Sequence, residues 1–253
     1  MRAALLFLVA FAALGLAYDR SRRAADPERW RPLLALLHHI ERDYADALDE
    51  NEVDELDEAD AMLGAIERTC REDGPRGRHY AARVTRLREL VASRAAPDVF
   101  EAELTGLVDA IVRGEQLVTH PEHVPDVEHG RALFATHCAG CHETVAGHKP
   151  PAGKLLRPSP VSFFAADVTE HMTPLKVYDV VSHGIPGTPM ASFAALSERD
   201  RWDLAYFVPA MRHPACEGPG IAVAEASLKT NRELEGLVGV DAVACARWRP
   251  LRP

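Results

Sequence analysis

Cys138-Ala139-Gly140-Cys141-His142 places two thiols and an imidazole within five residues of this 253-residue chain. Thiols separated by two residues reach one partner from a single turn of chain, and the adjoining imidazole is delivered to the same place. Cys-x-x-Cys alone also suits a thioredoxin-like redox pair or half of a zinc site. The histidine directly after it narrows the chemistry to covalent attachment of haem, each thiol adding to one vinyl group and the imidazole lying beneath the iron. A zinc site would need a second ligand pair at close spacing, and Cys216 and Cys245 stand far apart with no such partner. One motif implies one haem c, bound through Cys138 and Cys141, with His142 as an axial iron ligand. Pro150 or Pro151 is expected to offer the carbonyl that holds His142 Nδ1.

The composition is consistent with a globular protein built around that site. Acids number 38 against 29 Lys plus Arg, a formal net charge of -9, which argues against a general nucleic-acid binder. Charged residues at 26% and apolar residues at 47% argue against disorder along the whole chain and against a polytopic membrane protein. Residues 3–17 form an unbroken run of apolar or small residues behind Arg2, with the length of a signal-peptide core and small residues near Ala17. Residues 1–17 are therefore expected to be a signal peptide or anchor, and the protein to be periplasmic. Export also suits haem attachment, which takes place outside the cytoplasm.

Four amphipathic stripes precede the motif and predict helices. Leu33, Leu34, Leu37, Ile40 and Tyr44 follow an Asp26-Pro27 start; Val53, Leu56, Met62, Leu63, Ile66 and Cys70 end at Gly74-Pro75. Tyr80, Val84, Leu87 and Val91 close at Pro97, and Leu104, Leu107, Val108 and Ile111 close at Gly114. The expected fold is all-α: a four-helix bundle in an acidic module at 18–118, a linker at 119–125, a haem domain at 126–215, and a tail at 216–253 with one helix over Ser227 to Val238. Cys216 and Cys245 bracket that tail and are expected to pair, while Cys70 on its apolar stripe reads as a buried free thiol.

Between Asp43 and Asp60 lie ten carboxylates and no base. Glu52, Glu55 and Glu58 recur every third residue along one helix side and are candidate hard-oxygen ligands for iron, against the simpler reading of a solvated helix face. His38 and Glu41, one turn apart, form a weaker candidate metal pair.

The haem segment resembles the class I cytochrome c family. Gly130 and Phe134 stand eight and four residues before Cys138, and Ser197 to Asp200 opens a later helix with a capping box and carries Tyr206. The resemblance implies that Gly130 permits a close helix crossing and that Phe134 packs near Tyr206. It also implies that Met190, in the Gly187-Thr188-Pro189-Met190 loop, is the sixth iron ligand, with Met172, a histidine such as His183, or an open position as alternatives. Such His/Met ligation implies a raised potential and electron transfer rather than enzyme catalysis.

Read at full length, the order of features resembles the extracytoplasmic front part of cytochrome c-fused high-affinity iron permeases. Leu36 to Ala47, the acidic helix, the Gly187 to Phe193 loop and the tail carry that likeness, but the permease's membrane helices are absent here. The resemblance implies electron acceptance from ferrous iron, or from a redox partner beside an iron permease. A general respiratory shuttle to a terminal oxidase and a redox-sensing interaction protein are the other readings.

Overall fold

The computed structural model describes residues 26–144, 147–148, 150–165, 168–169, 171–211, 226–230 and 233. The expected signal segment, the Cys216–Cys245 pair and most of the expected tail helix lie outside the described residues. Those described are helical, with no strand among them, as an all-α reading requires. No helix among them is long and apolar enough to cross a membrane.

The chain enters through Asp26, whose carboxylate caps Glu28 N–H at 3.0 Å. The turn it starts is a short 3₁₀ segment, Pro27–Trp30, rather than the α-helix expected there; α1 follows as Arg31–Asp49. Three further helices come next: α2 (Val53–Glu72), α3 (Gly74–Ala92) and α4 (Pro97–Gly114). Proline stands in the first turn of α3 and α4, where its missing N–H breaks no intrahelical bond.

These helices bury one shared apolar cluster that includes Leu37 and Ile40 of α1, Leu63 of α2, Leu87 of α3 and Leu107 of α4. Each such side chain removed from water contributes about 1.5–3 kcal/mol. Tyr44 stacks on Phe100 and donates its hydroxyl to the Ala95 carbonyl at 2.7 Å, joining α1 to the start of α4. Cys70 is buried and free, as its stripe predicted, and burial chiefly, helped by nearby carboxylates, pushes its thiol up to about 12. Val53 departs from its stripe: it is the first residue of α2 and is 51% exposed, because the helix end lies beyond the cover of its neighbours.

Past an irregular stretch at 115–126, the chain forms α5 (Val127–His137), the one-turn α6 (Pro151–Leu155), α7 (Pro174–His183) and α8 (Glu198–Ala210). Asp126 caps α5 through His129 N–H, and the expected Ser197/Asp200 capping box closes both ways at the start of α8. A second apolar cluster gathers Phe134, Phe163, Leu175, Tyr178, Trp202 and Phe207.

The two halves touch where α1 lies against α7. Just before the stretch expected to be a linker, the Val118 carbonyl accepts from Arg31, and within it His123 Nε2 lies 3.2 Å from the buried carboxylate of Asp203.

Candidate functional site

Cys138 is the C-cap of α5, its N–H bonded to the Phe134 carbonyl at 2.9 Å. The chain continues in a tight turn, with Cys141 N–H and His142 N–H both donating to the Cys138 carbonyl, at 3.1 and 2.9 Å. One turn at a helix end therefore presents both thiols and the imidazole. Cys138 is half-buried against the second cluster, Cys141 is exposed, and neither is in a disulfide.

The His142 ring stacks on Phe163, with centroids 4.8 Å apart and planes at 22°. Its Nδ1 faces the Val161 carbonyl at 3.4 Å, where Pro150 or Pro151 was expected to supply one. A carbonyl at Nδ1 fixes the tautomer that leaves Nε2 as the donor atom to a metal. The residues present therefore fit a covalently held haem. Burial, and then Cys141, raise the Cys138 thiol to about 11, the reverse of the lowered value that a redox-active dithiol uses. Among the described residues no three His, Cys, Asp or Glu side chains converge as a metal-holding group.

Two helices fix the position of that turn. α5 crosses α8 at Gly130, where a Cβ would fall 2.3 Å from the Asp203 carbonyl oxygen. Below the crossing Phe134 meets Phe207 at 5.6 Å and Phe163 at 5.9 Å. Tyr206 lies in the same buried cluster as Phe134 and Phe207, and its hydroxyl bonds Ser227. One step around a helix is about 100°, so adjacent residues face different neighbours.

Met190 is half-buried in the loop between α7 and α8. The loop closes on itself through Ile185 N–H to the Met190 carbonyl at 3.0 Å, and Thr188 Oγ1 accepts from Met190 N–H at 3.2 Å. Gly184 starts it at φ 68°, ψ -168°, a region open essentially to glycine alone. Met172 and Met211 instead pack against the second cluster.

Glu52, Glu55 and Glu58 are exposed on α2 or just before it. Burial and then the neighbouring Glu52 carboxylate push Glu55 up to about 7. Farther along α2, Arg88 of α3 neutralises Asp60 at 2.8 Å and Glu67 at 3.1 Å. The His38–Glu41 pair faces Asp179 and Lys176 across the seam between the halves. Phe163, Val161 and Asp179 had no signal in the local pattern, since each meets its partner only after the chain folds back.

A helical domain with a Cys-x-x-Cys-His turn at the end of one helix, crossed by a later helix, has the form of a c-type cytochrome domain. The family model described as "Cytochrome C oxidase, cbb3-type, subunit III" matches residues 125–208, about a third of the chain, and supports that class together with its electron-transfer role. No curated protein and no solved structure matches the chain.

Proposed function

We propose that this chain is a periplasmic carrier of single electrons holding one haem c, with Cys138 and Cys141 as the covalent attachments and His142 and Met190 as axial ligands. The observation that carries this reading is the turn at the end of α5, where the His142 ring is set by Phe163 and the Val161 carbonyl. Bound haem supplies a one-electron iron couple, and thioether ligation raises its potential. The chain's part is to keep one ligand set in both redox states. Packing at the α5–α8 crossing holds the His142 side, and the hydrogen-bonded loop holds Met190. In this reading 18–118 is a helical module, 119–125 a connection, 126–215 the haem domain and 216–253 the tail.

Intact mass of the protein matured in an exporting host tests this directly. One haem is expected on the wild type, and none is expected to survive denaturing extraction from the double variant Cys138→Ala, Cys141→Ala. A wild type with two haems, or with none, would overturn the proposal.

The matched family is an oxidase subunit, and this favours an oxidase-side redox partner. The competing reading, electron acceptance from ferrous iron beside an iron permease, draws on the longer resemblance and on the crowded carboxylates of Glu52 and Glu55. Stopped-flow mixing of oxidised protein with ferrous iron separates the two. Haem reduction that slows on charge reversal of Glu52, Glu55 and Glu58 supports the iron reading; reduction indifferent to those residues removes it.

A further inference from the structure

The seam between the two halves is held by a charge network that the electron-transfer reading leaves without a role. Asp179, midway along α7, has a side chain 0% exposed, and its Oδ1 accepts from Arg31 Nη1 at 2.8 Å, itself only 2% exposed. The same guanidinium bonds Glu28 and the Val118 carbonyl and lies over the Tyr178 ring at 5.3 Å. Asp179 Oδ2 faces His38 Nε2 at 3.7 Å, longer than a hydrogen bond, and has no hydrogen-bond partner among the described residues. Lys176, one turn earlier on α7, pairs with Glu41 of α1 at 2.8 Å.

Removing two charges from water is costly, and a buried pair adds little net stability over an apolar pair of similar size. Its directional bonds do fix the rotation and axial position of one helix against the other, which an apolar contact leaves softer. α7 passes that position on. The Ser182 carbonyl accepts from Ser192 Oγ at 2.6 Å, and Phe193 N–H donates to the Val181 carbonyl at 2.9 Å. The loop between those anchors, from Gly184 to Ala191, carries Met190.

We infer that Arg31 of the helical module is a positioning residue for the Met190 loop, acting through the buried carboxylate of Asp179 on α7. The inference rests on the reading of Met190 as the sixth iron ligand. The module is then more than a docking appendage, because it biases the balance between methionine-bound and open iron. Disturbing the seam lets α7 rotate and weakens Met190 as a ligand without touching the haem attachments.

Imidazole added to the ferric holoprotein competes with Met190 and measures that balance. Asp179→Asn and Arg31→Met are expected to tighten imidazole binding about tenfold, within the roughly 5- to 150-fold span usual for coupled sites, and to weaken the red-edge sulfur-to-iron charge-transfer band. Leu37→Ala, a cavity on the same α1 helix, loosens the module as a purely structural control and is expected to leave imidazole affinity near that of the wild type. Equal tightening by all three variants, or none by Asp179→Asn and Arg31→Met, overturns the inference. If Asp179→Asn yields no holoprotein, Arg31→Lys keeps the charge and loses the guanidinium's simultaneous bonds to Asp179, Glu28 and the Val118 carbonyl; unchanged imidazole affinity there also overturns it. Met190→Ala separates the two ideas. If it abolishes the band while the seam variants leave it intact, the inference alone fails; if it leaves the band intact, the Met190 reading itself is lost.

Discussion

A Cβ built on Gly130 would lie 2.3 Å from the carbonyl oxygen of Asp203, and 2.7 Å from Cβ of Phe207 one turn on. Helix α5 thus rests on α8 backbone to side chain, with no room for a methyl group. Gly130→Ala is expected to push the helices apart at a cost of about 1–3 kcal/mol. Chemical denaturation followed by haem absorbance reads that cost; a stability equal to wild type would show that the crossing relaxes freely.

Asp203 also ties the connection to the crossing. Its buried carboxylate accepts Asp126 N–H at 2.8 Å and lies 2.9 Å from His129 Nδ1 and 3.2 Å from His123 Nε2. Asp203→Asn removes the charge these groups face and is expected to cost about 2–4 kcal/mol. The hydrogen bond to Asp203 chiefly, with its charge and that of Asp200, raises the exposed His129 above its usual value. That contribution is complete below the ordinary histidine range and is lost as pH rises through the raised value. Denaturation midpoints measured on both sides of neutrality are expected to show this dependence in the wild type and its reduction in Asp203→Asn.

The seam between the halves gives the protein a stability optimum in pH. Burial raises Glu41, but His38 and Lys176 outweigh it and bring the carboxyl down to about 2. Its contribution is present above the ordinary glutamate range and is lost as pH falls through about 4 toward 2, on the order of 2–3 kcal/mol. Burial lowers His38, yet Asp179 and Glu41 outweigh it and the net direction is up. Its share is complete below the ordinary histidine value and is lost as pH rises through the raised one. Thermal melts across pH should fall away on both sides, and Glu41→Gln should flatten the acid side. An unchanged acid limb would mean that another carboxylate governs it.

Gly184 starts the Met190 loop with positive φ, and a Cβ there would meet the Met190 carbonyl oxygen at 2.5 Å. Gly184→Ala therefore strains the backbone and collides with the loop at once, at a cost of about 2 kcal/mol or more. In the proposed holoprotein the sulfur-to-iron band should weaken in this variant while intact mass still shows one haem. A full-strength band would show that the loop accommodates the methyl group.

The parts legible along the chain were those set by neighbours in sequence. The four stripes before the haem motif became α1 to α4, the Ser197/Asp200 box closed as expected, and Cys70 is buried. Local spacing failed where a helix end meets solvent, as at Val53, and where a proline-led start tightens to 3₁₀ geometry, as at Pro27–Trp30.

Helical periodicity, caps and the Cys138-x-x-Cys141-His142 spacing are written within a few residues, because they depend on bonds and turns that span three or four positions. That information suffices for an all-α chain with a candidate haem turn. It does not bring the Val161 carbonyl to His142, or Phe163 to Phe134. Nor does it join Arg31 to Asp179, 148 residues away. Those choices rest on how far each helix is rotated when two cores pack against each other. Rotation is settled by close packing and by the satisfaction of buried charge over the whole molecule, and no short window of sequence contains it.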